Sequence, residues 1–260
     1  MRYLQSYYTD VGIKRKNNQD SLALFKADTD FGEVLLAIVC DGMGGYQSGE
    51  LASKTIIEIF EKWFKQDFSK CLYDGLNFEI IKGQWNRIIK DCNTILVEYG
   101  LQYDIDLGST LTAGLFIKNK YYIAHVGDSR AYKILPDKAF QITQDQSAVA
   151  EALRRGEITP EEAKKDKRRN ILLECIGITK NVKILFYEGV SAVGDTFMFC
   201  SDGFWHNLTE EELCRYLSGK QFKDNKMIRI HLNYLVETVK HKGEKDNITA
   251  LAVIPMGDNV

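Results

Sequence analysis

Residues 35 to 45 read LLAIVCDGMGG: six apolar residues, then an acid, then a glycine-rich turn. A run that short, rich in branched side chains and closed by glycine, fits a fully buried β-strand better than a helix. Acids are placed comparably in RKNNQD (15 to 20), just before the run at 21 to 26, and in YYIAHVGDSR (121 to 130), FMFCSDG (197 to 203) and KDNITALAV (245 to 253). Asp41, Asp128 and Asp202 stand where such a run stops at a turn, Asp20 precedes one, and Asp246 opens the last. In three segments a glycine touches the acid. Carboxylates gathered at strand ends repel one another unless a divalent cation neutralises them, and hard cations such as Mg²⁺ or Mn²⁺ prefer oxygen ligands. The pattern predicts a metal-dependent hydrolase.

Periodicity extends the pattern outward. Strands are expected at 3 to 9, 21 to 26 and 33 to 40. A helix capped by Ser48 should follow, with Leu51, Thr55, Ile56, Ile59, Phe60 and Trp63 as its apolar stripe. A second, at about 80 to 100, carries Trp85, Ile88, Ile89, Cys92, Ile95, Leu96 and Tyr99; core packing accounts for the aromatics of both. A hairpin joins 109–118 to 121–128 through Asn119 and Lys120. The Glu-, Lys- and Arg-rich segment 145–170 reads as a surface excursion holding one short helix opened by Thr159-Pro160-Glu161-Glu162. Strands resume at 182–188 and 195–200. A capping box at Thr209 to Glu212 starts a helix, another fills 224–241, and strand 247–254 follows. No repeat, low-complexity tract or linker interrupts 1–260, which is read as a single domain of strands sandwiched by helices.

Composition excludes several classes. With 34 basic and 36 acidic residues the net charge is -2, so neither nucleic acid nor an anionic membrane is an expected partner. The longest apolar stretches, at 34–40 and 250–256, fall short of a membrane span, and MRYLQSYYTD has no signal core, so a cytoplasmic location is expected. The six cysteines show no CxxC pair, which implies free thiols in a reducing compartment. A phosphate-ester cysteine nucleophile would want an arginine closing its anion loop. The sixth residues after the cysteines are instead Tyr46, Asn77, Glu98, Asn181, His206 and Lys220. His125, His206, His231 and His241 lack metal-ligand spacing and read as structural. The glycine run at 42–45 matches neither nucleotide fingerprint. An Asp-Gly at a strand end is commonly only a turn. It can also be a compact cation site, because a residue without Cβ lets its own carbonyl approach what the acid binds.

Eight elements in order carry a resemblance: GIKRKNNQD (12–20), DGMGGYQSGE (41–50), GST (108–110), VGDSRAY (126–132), TQDQS (143–147), RRN (168–170), CSDGFW (200–205) and DNIT (246–249). From about residue 3 to 254 the chain resembles the metal-dependent protein phosphatases, the type 2C serine/threonine phosphatases, especially the compact bacterial ones. The resemblance implies an α+β fold, a four-layer α-β-β-α sandwich of two mainly antiparallel sheets flanked by helices. It implies two Mn²⁺ or Mg²⁺ ions, with a third possible. Asp41 would bridge the pair, Gly42 would lend a carbonyl, Asp202 and Asp246 would complete one ion's shell, and Asp128 would belong with Asp202 to the weaker third site. Asp20 would hold water beside the ions, and Arg15 would grip the substrate phosphate, since a guanidinium gives two parallel hydrogen bonds that Lys14 or Lys16 cannot. Residues 145–170 would form a flap. The implied reaction is hydrolysis of phosphoserine and phosphothreonine by in-line attack of a metal-bridging hydroxide, by a monomer acting on phosphorylated proteins and opposing a cognate Ser/Thr kinase.

Two positions depart from the pattern. Tyr46 stands where many relatives carry His, so the proton donor to the leaving oxygen is either this phenol or a water, with Tyr46 packing beside the cleft. Gln19 stands where animal relatives have Glu. Two alternatives accompany the phosphatase reading: an inactive relative serving as a binding module, and a two-metal hydrolase of another phosphate ester.

Overall fold

Two antiparallel sheets stack face to face in the computed structural model, which describes residues 1–45, 48–73 and 77–257. One sheet has the order β1-β11-β10-β7-β8, built from β1 (Arg2–Asp10), β11 (Ile248–Met256), β10 (Thr196–Cys200), β7 (Arg130–Ile134) and β8 (Ala139–Gln141). The other runs β2-β3-β5-β6-β9, from β2 (Asp20–Thr29), β3 (Gly32–Gly44), β5 (Leu111–Ile117), β6 (Lys120–Val126) and β9 (Leu185–Val190), with β4 (Leu107–Ser109) pairing the far end of β3. Helices α1 (Ser48–Gln66), α2 (Phe68–Tyr73) and α3 (Phe78–Tyr103) follow β3; α7 (Glu210–Leu217) and α8 (Asn225–His241) precede β11.

The parity of β3 organises the layers. Its side chains alternate faces. Val34, Leu36, Ile38 and Cys40 pack against α1 and α3, around Ile56, Phe60, Trp63, Trp85 and Ile89. Leu35, Ala37 and Val39 face the opposite sheet, where Phe197, Phe199, Leu251 and Val253 meet them. Strand β11 divides likewise, sending Ile248, Ala250, Ala252 and Ile254 toward α7 and α8. The result is the expected α-β-β-α layering.

Several expectations shift in detail. The hairpin turn lies one residue earlier than read: Ile117 pairs with Lys120, and the turn residues are Lys118 and Asn119. Lys118 takes the left-handed conformation (φ 51°) that such turns require. Segment 145–170 holds two helices, α4 (Ala148–Arg154), capped by Ser147, and α5 (Pro160–Ala163), with the Thr159–Glu162 capping box in place. Leu51, Ile95 and Tyr99, assigned to core stripes, are exposed. The stripes rotate onto Ala52 in α1 and Ile81 in α3. All six cysteines are buried. Among the described residues no helix is long and apolar enough to cross a membrane.

Candidate active site

Strand parity also aims the first acid. Asp41 shares its parity with Leu35, Ala37 and Val39, so it points into the layer between the sheets, at the rim where apolar filling ends. The strand does not stop there as the sequence suggested; pairing with β4 carries it three residues further, to Gly44. Asp20 opens β2 directly opposite Asp41 in register, which puts the two carboxylates on one face. Ser201, the last residue before α6 (Asp202–Trp205), reaches across from the other sheet and donates to Asp20 Oδ2 at 2.8 Å. Asp202 is therefore the first residue of a short helix rather than a strand-end turn.

The backbone of Asp41 is fixed from the β5 side. Thr110 N donates to its carbonyl (2.9 Å), Ser109 Oγ does the same (3.0 Å), and Asp41 N donates to Thr110 Oγ1 (2.9 Å). Gly42 is required by packing: a Cβ there would lie 2.2 Å from the carbonyl oxygen of Gly49 in α1 and 2.5 Å from that of Gln19. The missing side chain lets helix, loop and strand close together.

A polar clasp holds loop 11–19, which carries Arg15. Asn247 Nδ2 donates to the carbonyls of Val11 (2.9 Å) and Asn17 (3.0 Å), and its Oδ1 accepts from Gln19 N (2.9 Å). Gly12, at φ 78°, leaves no room for a Cβ beside the carbonyl of Asp246. Arg15 Nη2 thus donates to Asp246 Oδ2 at 2.7 Å. Asn247 carried no sequence signal beyond its place in DNIT, because a side chain bonding to backbone some 230 residues away leaves no periodicity.

Arg15, Gln19, Asp41, Gly42, Asp128, Asp202 and Asp246 line one cleft of about 210 Å³, joined by Thr110, Asn170 and Leu172. All five aspartates and the arginine singled out from sequence thus converge, Asp20 lying just behind Asp41. Tyr46 lies outside the described residues. His125 is wholly buried behind the cleft and His206 stands 3.8 Å from Asp202; neither lines it.

Electrostatically the cleft is strained. Burial, aided by the charges of Asp202 and Asp246, lifts the Asp20 carboxyl to about 7 against hydrogen bonds from Thr249 and Ser201. Burial and then Asp246 lift Asp202 to about 7. Asp41 and Asp128 are pushed well up, by burial first and by neighbouring carboxylates second. One oxygen each of Asp20 and Asp202 is buried without a hydrogen-bond partner. Crowded, desolvated, partly unpartnered carboxylates fit hard cations. Among the described residues, however, no three carboxylate, imidazole or thiol groups close on a single point. Asp246 is engaged by Arg15 instead.

The family model for protein phosphatase 2C matches residues 13–246. The chain belongs to this family. Among curated proteins, a relative named serine/threonine phosphatase stp, from Listeria innocua, is 31% identical over 250 residues, covering 95% of this chain and 94% of its own. Among solved structures, the serine/threonine phosphatase Stp1 from Staphylococcus aureus superimposes with a TM-score of 0.85 at 29% identity, covering 99% of this chain and 96% of that one. The catalytic domain of the serine threonine protein phosphatase PstP, in complex with two manganese ions, superimposes with a TM-score of 0.78 at 25% identity, covering 98% of this chain and 100% of that one.

Proposed function

We propose that the chain is a metal-dependent serine/threonine protein phosphatase acting on phosphoserine and phosphothreonine side chains. The observation that carries this reading is the convergence of Asp41, Asp128, Asp202 and Asp246 with Arg15 in one cleft. Asp41, the Gly42 carbonyl, Asp202 and Asp246 would hold two Mn²⁺ or Mg²⁺ ions, and Asp128 with Asp202 would hold a weaker third. When bound, such ions neutralise the carboxylates and supply an acidified, oriented water.

The protein's own residues do the rest. Asp20, held by Ser201, orients water at the floor of the cleft. Arg15 grips the phosphate: its guanidinium is half exposed and presents several donors, so the bond to Asp246 leaves others free. A dianionic monoester brings charge that guanidinium and ions together offset, which favours monoesters over diesters. The described fold, read as one domain over 1–260, and the balanced charge suit a cytoplasmic monomer that reverses the work of a Ser/Thr kinase.

The test is phosphate release from a phosphothreonine peptide with Mn²⁺, Mg²⁺ or chelator. Turnover should require the added ion and vanish with chelation; full turnover in chelator overturns the two-metal reading. Activity on a diester but not on a monoester would favour the alternative phosphate-ester hydrolase.

A further inference from the structure

The cleft does not end at the aspartates. Strand β3 continues from Asp41 to Gly44, which still lines the cleft, and Gly44 pairs in register with Leu107. On the far side of that pair lies a separate cavity of about 260 Å³ between the end of α3 and residues 177–178. Val97, Leu107 and Ile178 form its apolar part, and Leu101 and Ile105 stand at its mouth, Leu101 being 75% exposed. Asp104 and Asp106 also line it. Both acids are exposed and neither carboxylate takes part in an ion pair among the described residues. The cleft itself carries the cation of Arg15.

Resting on the phosphatase reading, we infer that this cavity is a substrate subsite selecting phosphopeptides with a basic residue, Lys or Arg, three positions from the phosphorylated one. Distance sets the spacing. Three strand residues from Asp41 to Gly44 cover about 10 Å, and three residues of extended substrate cover the same length. Charge sets the chemistry: with the phosphate in the cleft beside Asp41, which Arg15 also lines, a lysine or arginine at that reach lays its methylene stem on Leu101, Ile105 and Ile178 and its cation against Asp104 and Asp106. A substrate acid there meets two like charges, so the subsite discriminates by repulsion as well as attraction. The carbonyl of Asp106 packs 2.5 Å from where a Gly44 Cβ would stand, so subsite and cleft are in direct contact.

The experiment compares phosphothreonine peptides bearing Lys, Ala or Glu three residues before or after the phosphoresidue. Wild-type kcat/KM should favour Lys over Glu at one of those two positions by about five- to tenfold, falling as salt is raised. Asp104 ends α3 in the left-handed conformation (φ 52°), which Asn also tolerates. Asp104→Asn with Asp106→Asn should therefore fold normally, abolish the preference, and leave p-nitrophenyl phosphate hydrolysis within about twofold. Ile178→Ser should weaken the Lys peptide without changing the response to salt. Equal rates on all peptides in wild type, or a preference that survives the double substitution, overturns the subsite while leaving the phosphatase intact. No release from any peptide, with melting temperature unchanged, overturns the reading on which the subsite rests.

Discussion

His125 offers a test of how the site's scaffold is held. It is fully buried, its Nε2 lies 3.0 Å from the carbonyl of Gly127 and its Nδ1 3.0 Å from the hydroxyl of Thr112. A carbonyl only accepts, so Nε2 carries the proton and Nδ1 accepts from Thr112. Burial drops this imidazole from 6.5 to about 4, with the charge of Asp145 opposing. Below pH 6.5 the unfolded chain binds a proton that the folded chain refuses until about pH 4. The contribution is therefore complete above 6.5 and is lost as pH falls through the window. A displacement of about 2.5 units corresponds to about 3 kcal/mol, with a slope approaching 1.4 kcal/mol per pH unit inside the window. The assay is urea unfolding of wild type and His125→Asn between pH 7.5 and 4, in chelator, so that the aspartate titrations common to both cancel in the difference. Wild type should lose about 3 kcal/mol of its advantage over that range. A difference that stays flat refutes the argument, because His125 would then be taking up its proton inside the fold without penalty.

Two further outcomes bear on the cleft. Asp41→Asn should remove nearly all kcat while leaving metal-free stability equal or higher, since it deletes one of several crowded buried charges; activity assay beside thermal unfolding in chelator checks both halves. Arg15→Ala should cost under about 1 kcal/mol of stability, because its ion pair with Asp246 is half exposed. Its kcat/KM on a phosphothreonine peptide should nevertheless fall tenfold to over a hundredfold, about what charge-assisted hydrogen bonds to phosphate contribute, chiefly through KM.

The acids that meet in the cleft were legible because each sits beside an apolar run with its own local signal, and the two capping boxes at Thr159 and Thr209 announced α5 and α7 without ambiguity. What escaped notice depends on partners distant in sequence. Strand β7 is only five residues long, and its pairing with β10 defines it. Helix α4 has just two buried side chains, Val149 and Ala152, too few to produce a stripe. The turn at Lys118 was displaced because a lysine in a left-handed conformation runs against local preference and is imposed by the register of β5 on β6. Ser201 and Asn247 do their work by bonding across the sheets or to the loop around Arg15, relations that no window of neighbouring residues contains.

Strand β11 lies between β1 and β10, pairing with β1 from Arg2↔Met256 to Asp10↔Ile248. During synthesis β1 leaves the ribosome long before β11, and its only lateral neighbour in the sheet is still unmade. Asp246 and Asn247 arrive on the same late segment, so the loop bearing Arg15 lacks the Asn247 clasp until then. A nascent chain that has not yet reached β11 lacks both Asp246 and the Asn247 side chain that holds the loop bearing Arg15.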